Sequence, residues 1–168
     1  MTEQILHPIP PTYDQNSRVL ILGSFPSVKS REMMYFYGHP QNRFWKVLSA
    51  LFHEEVPMTV PERHAFLLKH RIAVWDSIGS CSITGSSDSS IRNVIPNDLT
   101  PILSAASIEA IYCNGRKSWE MYHRYIEPVT KVEAVCLPST SPANAACRLD
   151  DLILSWSVIL PAQDLKMN

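Results

Sequence analysis

The chain has 168 residues, 45% of them apolar and 18% charged, a balance that suits a folded domain and excludes intrinsic disorder. Its net charge of −1 excludes a uniformly basic nucleic-acid binder but permits a local basic face. No apolar run reaches the roughly 18 residues of a membrane span, and Met1 to Ser17 lacks the basic-then-apolar order of a signal peptide, so a cytoplasmic protein without a membrane partner is expected.

In chain order, residues 1–17, with Pro8-Ile9-Pro10-Pro11, read as an extended N-terminal arm on a single domain covering 1–168. Val19-Leu20-Ile21-Leu22 is the first of four short apolar runs, followed by Ile72 to Trp75, Ile108 to Cys113 and Val132 to Leu137. Their β-branched and aromatic content predicts strands buried on both faces. Between them, Phe44, Val47, Leu48, Leu51 and Phe52 have the spacing of one helix face. Pro61 to His70 opens with Pro and Glu, good first-turn residues. Asn97 is placed to cap a helix from Asp98 to Ala105. Trp119, Tyr122, Tyr125 and Ile126 repeat the amphipathic spacing, and a fifth helix is predicted from Ala143 to about Trp156. Strands alternating with helices predict an α/β fold, a three-layer α/β/α sandwich around a four-stranded parallel sheet. The polar stretch Cys81 to Asn97 reads as one long irregular loop, of the kind that carries function.

Cys81, Cys113, Cys136 and Cys147 are widely spaced with no CxxC, and the six histidines show no ligand spacing. No metal and no cofactor is expected. Cys113 and Cys136 end apolar runs and read as small buried residues. His53, His64 and His70 read as surface residues.

In an open parallel sheet, chemistry gathers beyond the carboxyl ends of the strands. The segments there are Gly23 to Ser27, Asp76 to Gly79, Asn114-Gly115-Arg116 and Pro138 to Pro142, all small, polar and turn-rich. Neither a Gly-x-Ser-x-Gly elbow nor a Walker loop follows any strand.

Three strings resemble the hypoxanthine-DNA glycosylase branch (DNA-deoxyinosine glycosylase) of the uracil-DNA glycosylase superfamily. They are Leu22-Gly23-Ser24-Phe25-Pro26-Ser27, His39-Pro40-Gln41-Asn42-Arg43-Phe44-Trp45 and Leu137 to Asn144. The resemblance spans roughly residues 18 to 157. Phe25 stands where uracil glycosylases place a water-positioning Asp or Asn, and Leu137 where they place a base-stabilising His. The resemblance therefore implies that Asn42 supplies the catalytic function through its amide carbonyl, orienting a water; as a plain sequence feature, Asn42 is equally a favoured helix cap. Ser24 is the second candidate catalytic residue, in the turn whose backbone amides would bond the base oxygen. Gly23, Phe25, Pro26, Asp76, Asn114 and Ser139 are the candidate substrate-binding residues. Phe25 would stack on the base, or belong to the core. Asp76 would accept from the N1–H of hypoxanthine and repel adenine, or cap a turn.

The implied function is a monofunctional DNA glycosylase of base excision repair, acting as a monomer on double-stranded DNA that carries a deaminated base. A uracil or thymine mismatch glycosylase and a catalytically silent binding module are the alternatives. Residues 17–46 carry five cations against Glu32 alone, a balance of +4 that suits a polyanion. The candidate DNA contacts are Ser27, Lys29, Ser30, Arg43, Ser86, Arg116, Lys117, Thr140, Ser141 and Asn144.

Overall fold

The computed structural model describes residues 3–161. In chain order it runs β1 (Gln4–Leu6), β2 (Val19–Gly23), α1 (Val28–Met33), α2 (Phe44–Phe52), α3 (Val60–Lys69), β3 (Ile72–Asp76), β4 (Ile78–Ser82) and β5 (Arg92–Pro96). It continues with α4 (Thr100–Ala105), β6 (Ala110–Asn114), α5 (Arg116–Met121), a π-helical turn at Tyr122–Ile126, α6 (Glu127–Thr130), β7 (Ala134–Leu137) and α7 (Leu149–Trp156). Among the described residues no helix is long and apolar enough to cross a membrane.

The four apolar runs form one parallel sheet in the order β3-β2-β6-β7. Side chains alternate across it, as a pleated strand requires. Val19, Ile21, Ile72, Val74 and Tyr112 face a core shared with α2, α3 and α7. Leu20, Leu22, Ala73, Ile111 and Cys113 face the opposite core under α4 and the helical stretch from α5. That is the expected arrangement of helices on both faces of a four-stranded sheet.

Several expectations need correction. Cys81 to Asn97 is not one irregular loop, because β4 and β5 pair antiparallel and β1 joins β4, with Gln4 opposite Ser82 and Leu6 opposite Ser80. The N-terminal arm is thus an edge strand of a second, three-stranded sheet. Asn97 does not cap α4; its Nδ2 donates to the carbonyls of Asp76 (2.9 Å) and Ile78 (3.1 Å) and holds the turn after β3. The last helix starts at Leu149, since residues 143–148 are tied down as a loop described below. Finally, β7 is an edge strand with Val135 and Cys136 exposed, so Cys136 is not a buried apolar residue, whereas Cys113 is. Burial pushes the Cys113 thiol up to about 12. Of the three histidines expected at the surface, His53 and His64 are exposed, while His70 is half-buried, stacked on Phe52 and bonded to Glu54.

Candidate active site

The carboxyl ends of β2, β3 and β6 open into a cavity of about 150 Å³. The turn Gly23 to Ser27 forms one wall, and Ser139 to Pro142 forms another. Asp76 and Asn114 reach in from the ends of β3 and β6, and His39 and Asn42 from the segment before α2. Three lining residues were not singled out by the sequence: Phe36, Tyr37 and Asp88.

Asn42 is held by a relay. Asn114 and Thr140 clasp each other, with the Asn114 Oδ1 accepting from the Thr140 N–H (3.0 Å) and its Nδ2 donating to Thr140 Oγ1 (2.9 Å). Thr140 Oγ1 then donates to Asn42 Oδ1 at 2.8 Å. The same oxygen accepts from the Phe44 N–H at 3.0 Å. Both lone pairs of the Asn42 carbonyl are therefore used, which corrects the expectation that this carbonyl orients a water. What remains is Nδ2, which donates to no described group and lines the cavity. The formal cap of α2 is Arg43, without a side-chain bond, so Asn42 serves the first turn as well as the pocket. Asn114, 8% exposed, is committed to Thr140 and is a positioning residue more than a free reader of bases.

Asp76 is 4% exposed. Its Oδ2 lies 2.6 Å from Nε2 of His7, which comes from the N-terminal arm. Its Oδ1 turns to Gly23 and to the Tyr37 hydroxyl: a Cβ built on Gly23 would fall 2.3 Å from Oδ1 and 3.0 Å from that hydroxyl. Only a residue without a side chain allows this approach, which is why a glycine ends β2. Asp76 cannot swing away, because His7 holds its other oxygen. Gly23→Ala should therefore destabilise the fold by about 1–3 kcal/mol and abolish most activity of the pocket. Thermal melting and a turnover assay check this; an alanine variant matching the parent in both would mean the wall yields freely.

Tyr37 stacks on Phe44 with ring centroids 3.9 Å apart, and its hydroxyl is buried without a partner among the described residues. Burial, then the charge of Asp76, drives its pKa well above the ordinary phenol value; Asn114 lies near enough to ease that shift without meeting hydrogen-bond geometry.

Phe25 lines the cavity and also packs into a third apolar cluster with Ile78, Cys81, Ile83, Ile91 and Met121. Arg31 lies 5.7 Å above its ring. Ser24 donates to Asp88 Oδ1 at 2.9 Å, so a carboxylate from the loop before β5 comes to the turn where Phe25 supplies none.

The candidate DNA contacts divide. Ser27 caps α1 by accepting from the Ser30 N–H, and Ser86 accepts from the Val28 N–H; both line the mouth. Ser30 (2% exposed) and Thr140 (0%) are buried, and hold loops instead of meeting phosphate. Arg43 corrects the reading as a phosphate ligand: its guanidinium donates to the carbonyls of Cys147, Ser141 (3.2 Å) and Asn144 (3.1 Å). Asn144 in turn donates to the Ser139 carbonyl at 3.0 Å, and the Ser141 N–H donates to Ser139 Oγ at 3.1 Å. These bonds fold residues 138–147 over the cavity edge. Lys29, Arg116 and Lys117 lie outside the cavity lining; Lys29 faces Glu32 and Arg116 pairs with Glu120.

Sequence reasoning missed His7, Tyr37 and Asp88. His7 sits 69 residues from its partner with no spacing signal at all. Tyr37 stands two residues before the His39-Pro40-Gln41-Asn42 string, which was a usable signal.

A sequence profile of the uracil DNA glycosylase superfamily matches residues 10–158. The Hypoxanthine DNA glycosylase of Methanosarcina acetivorans is 35% identical over 140 residues, covering 80% of this chain and 85% of that protein. The Hypoxanthine DNA glycosylase of Methanosarcina barkeri is 31% identical over 140 residues, with the same coverage of 80% and 85%. The solution NMR structure of a candidate uracil DNA glycosylase from Methanosarcina acetivorans superposes with a TM-score of 0.75 at 30% identity, covering 90% of this chain and 96% of that one.

Proposed function

The chain belongs to the uracil DNA glycosylase superfamily, and from that premise we propose that it is a DNA glycosylase of base excision repair, hydrolysing the N-glycosidic bond of deaminated bases, hypoxanthine above all. The two Methanosarcina relatives bear that activity in their names. The observation that carries the reading to this chain is the Asn42 amide, locked by Thr140 and Phe44 with its N–H₂ group turned to the cavity. We propose further that the enzyme acts as a monomer on double-stranded DNA in the cytoplasm.

Breaking the bond leaves an oxocarbenium-like sugar and an anionic base. The target nucleotide is first turned out of the stack, at a cost of a few kcal/mol, and held against apolar walls, here Phe25 and Phe36. As negative charge grows on the base, Asn42 Nδ2 donates to it. Because the amide is already oriented, no reorganisation is needed at the moment of reaction. Asp88, fixed by Ser24, is the acceptor that orients the attacking water. Asp76 accepts from the base N–H.

Among the described residues no group of three or more His, Cys, Asp or Glu side chains is placed to hold a metal ion. The proposed steps use amides and carboxylates alone, so excision should run unchanged in EDTA. Duplexes carrying single inosine, xanthine or uracil lesions, cleaved by alkali after incubation, test both points. The absence of alkali-labile sites at all of the lesions would reject the glycosylase; loss in EDTA with return on a divalent ion would replace it with a metal-assisted hydrolase.

A further inference from the structure

We propose that His7 is a positioning residue for base recognition, holding Asp76 as a fixed acceptor for the lactam N–H of a deaminated base. The inference rests on the glycosylase reading above.

The hydrogen-bond pattern assigns the imidazole tautomer. Nδ1 accepts from the Ile9 N–H at 3.2 Å, so Nδ1 carries no proton. The ring proton therefore sits on Nε2 and points at Asp76 Oδ2, 2.6 Å away. The side chain is 2% exposed and stands edge-on to Phe25 (5.8 Å between centroids) and Trp75 (5.9 Å). Its backbone is fixed too: the His7 N–H donates to the Gly79 carbonyl at 2.8 Å, next to the β1–β4 pairing.

With Oδ2 held, the Asp76 carboxylate cannot rotate, and Oδ1 presents its lone pairs on the wall shared with Gly23 and Tyr37. Hypoxanthine at N1 and uracil at N3 offer an N–H to such an oxygen. Adenine at N1 and cytosine at N3 offer a lone pair, and are repelled. The dyad thus reads the one edge that deamination of these two bases changes. Guanine shares the lactam edge, so the dyad discriminates against adenine and cytosine alone.

The experiment compares single-turnover excision from inosine, uracil and adenine duplexes by the parent enzyme and by His7→Phe, His7→Gln and His7→Asn. Phe keeps the ring packing without the donor; Gln returns an N–H at about the reach of Nε2, and Asn stops short of it. His7→Phe should lower inosine excision roughly tenfold to a hundredfold and narrow the inosine-to-adenine ratio, with duplex affinity unchanged. His7→Gln should recover most of both, and His7→Asn little. Should the Phe variant fail to melt cooperatively, the Gln and Asn variants carry the same comparison. Equal losses in all three with an unaltered base ranking would reduce His7 to packing and overturn the proposal. Activity of the parent with unchanged behaviour of folded His7→Phe would overturn it as well, while a parent inert on every lesion would reject the glycosylase reading itself.

Discussion

Asn42→Ala should slow inosine excision at least a hundredfold while leaving affinity for the lesion duplex nearly intact. One preorganised donor to developing charge is typically worth about 3 kcal/mol, which is a little over two orders of magnitude in rate. Binding is spared because the contact strengthens only as the base becomes anionic. The stronger test is Asn42→Asp. A carboxylate keeps the acceptor for Thr140 and the Phe44 N–H but has nothing to donate. If the amide worked through its carbonyl, aspartate would retain much of the rate; with Nδ2 as the working end, aspartate should fall nearly as far as alanine. Single-turnover rates on an inosine duplex decide between the two, and an alanine variant at the parent rate would leave Asn42 as a mere support of the first turn of α2.

Asp76→Asn should alter base choice more than any other single change. Asparagine fits the same space, but His7 Nε2–H will hold its carbonyl, which turns the N–H₂ end toward Gly23 and the base. Inosine then meets donor against donor, and adenine N1 meets a donor that suits it. An unpaired buried group costs about 1–3 kcal/mol, enough to move each rate by tens-fold in opposite directions. Rates on inosine, uracil, adenine and cytosine duplexes should therefore compress or invert in order. The same ranking in both proteins would put Asp76 outside the base pocket.

The parallel sheet was legible because a strand covered on both faces must be apolar throughout, as Val19 to Leu22 is. The second sheet was not. Ile78–Ser82 is built of glycine, serine and cysteine around one isoleucine, Arg92–Pro96 is mostly exposed, and β1 has three residues, so none shows a period that sequence reading detects. Helix α1 was missed for the same reason, with Ser30 its one buried residue. In the site, residues next to strand ends were legible, since topology alone converges them. The direction of a side chain was not: Arg43 looks like a phosphate ligand until its carbonyl partners are seen, and the Asn42 amide could face either way until Thr140 fixes it. His7 was invisible because its meaning depends on a pairing across 69 residues.

That pairing bears on biosynthesis. The arm is made well before its partners, since Gln4 bonds Ser80 and Asn93, residues synthesised 76 and 89 positions later. Closing so long a loop is entropically costly, though the cost grows only slowly with length. Pro8, Pro10 and Pro11 restrict the waiting segment to extended conformations, so the nascent arm has less freedom to surrender when its partners arrive. The proline cluster, which contributes no chemistry to the cavity, thus lowers the entropic barrier to delivering a histidine that does.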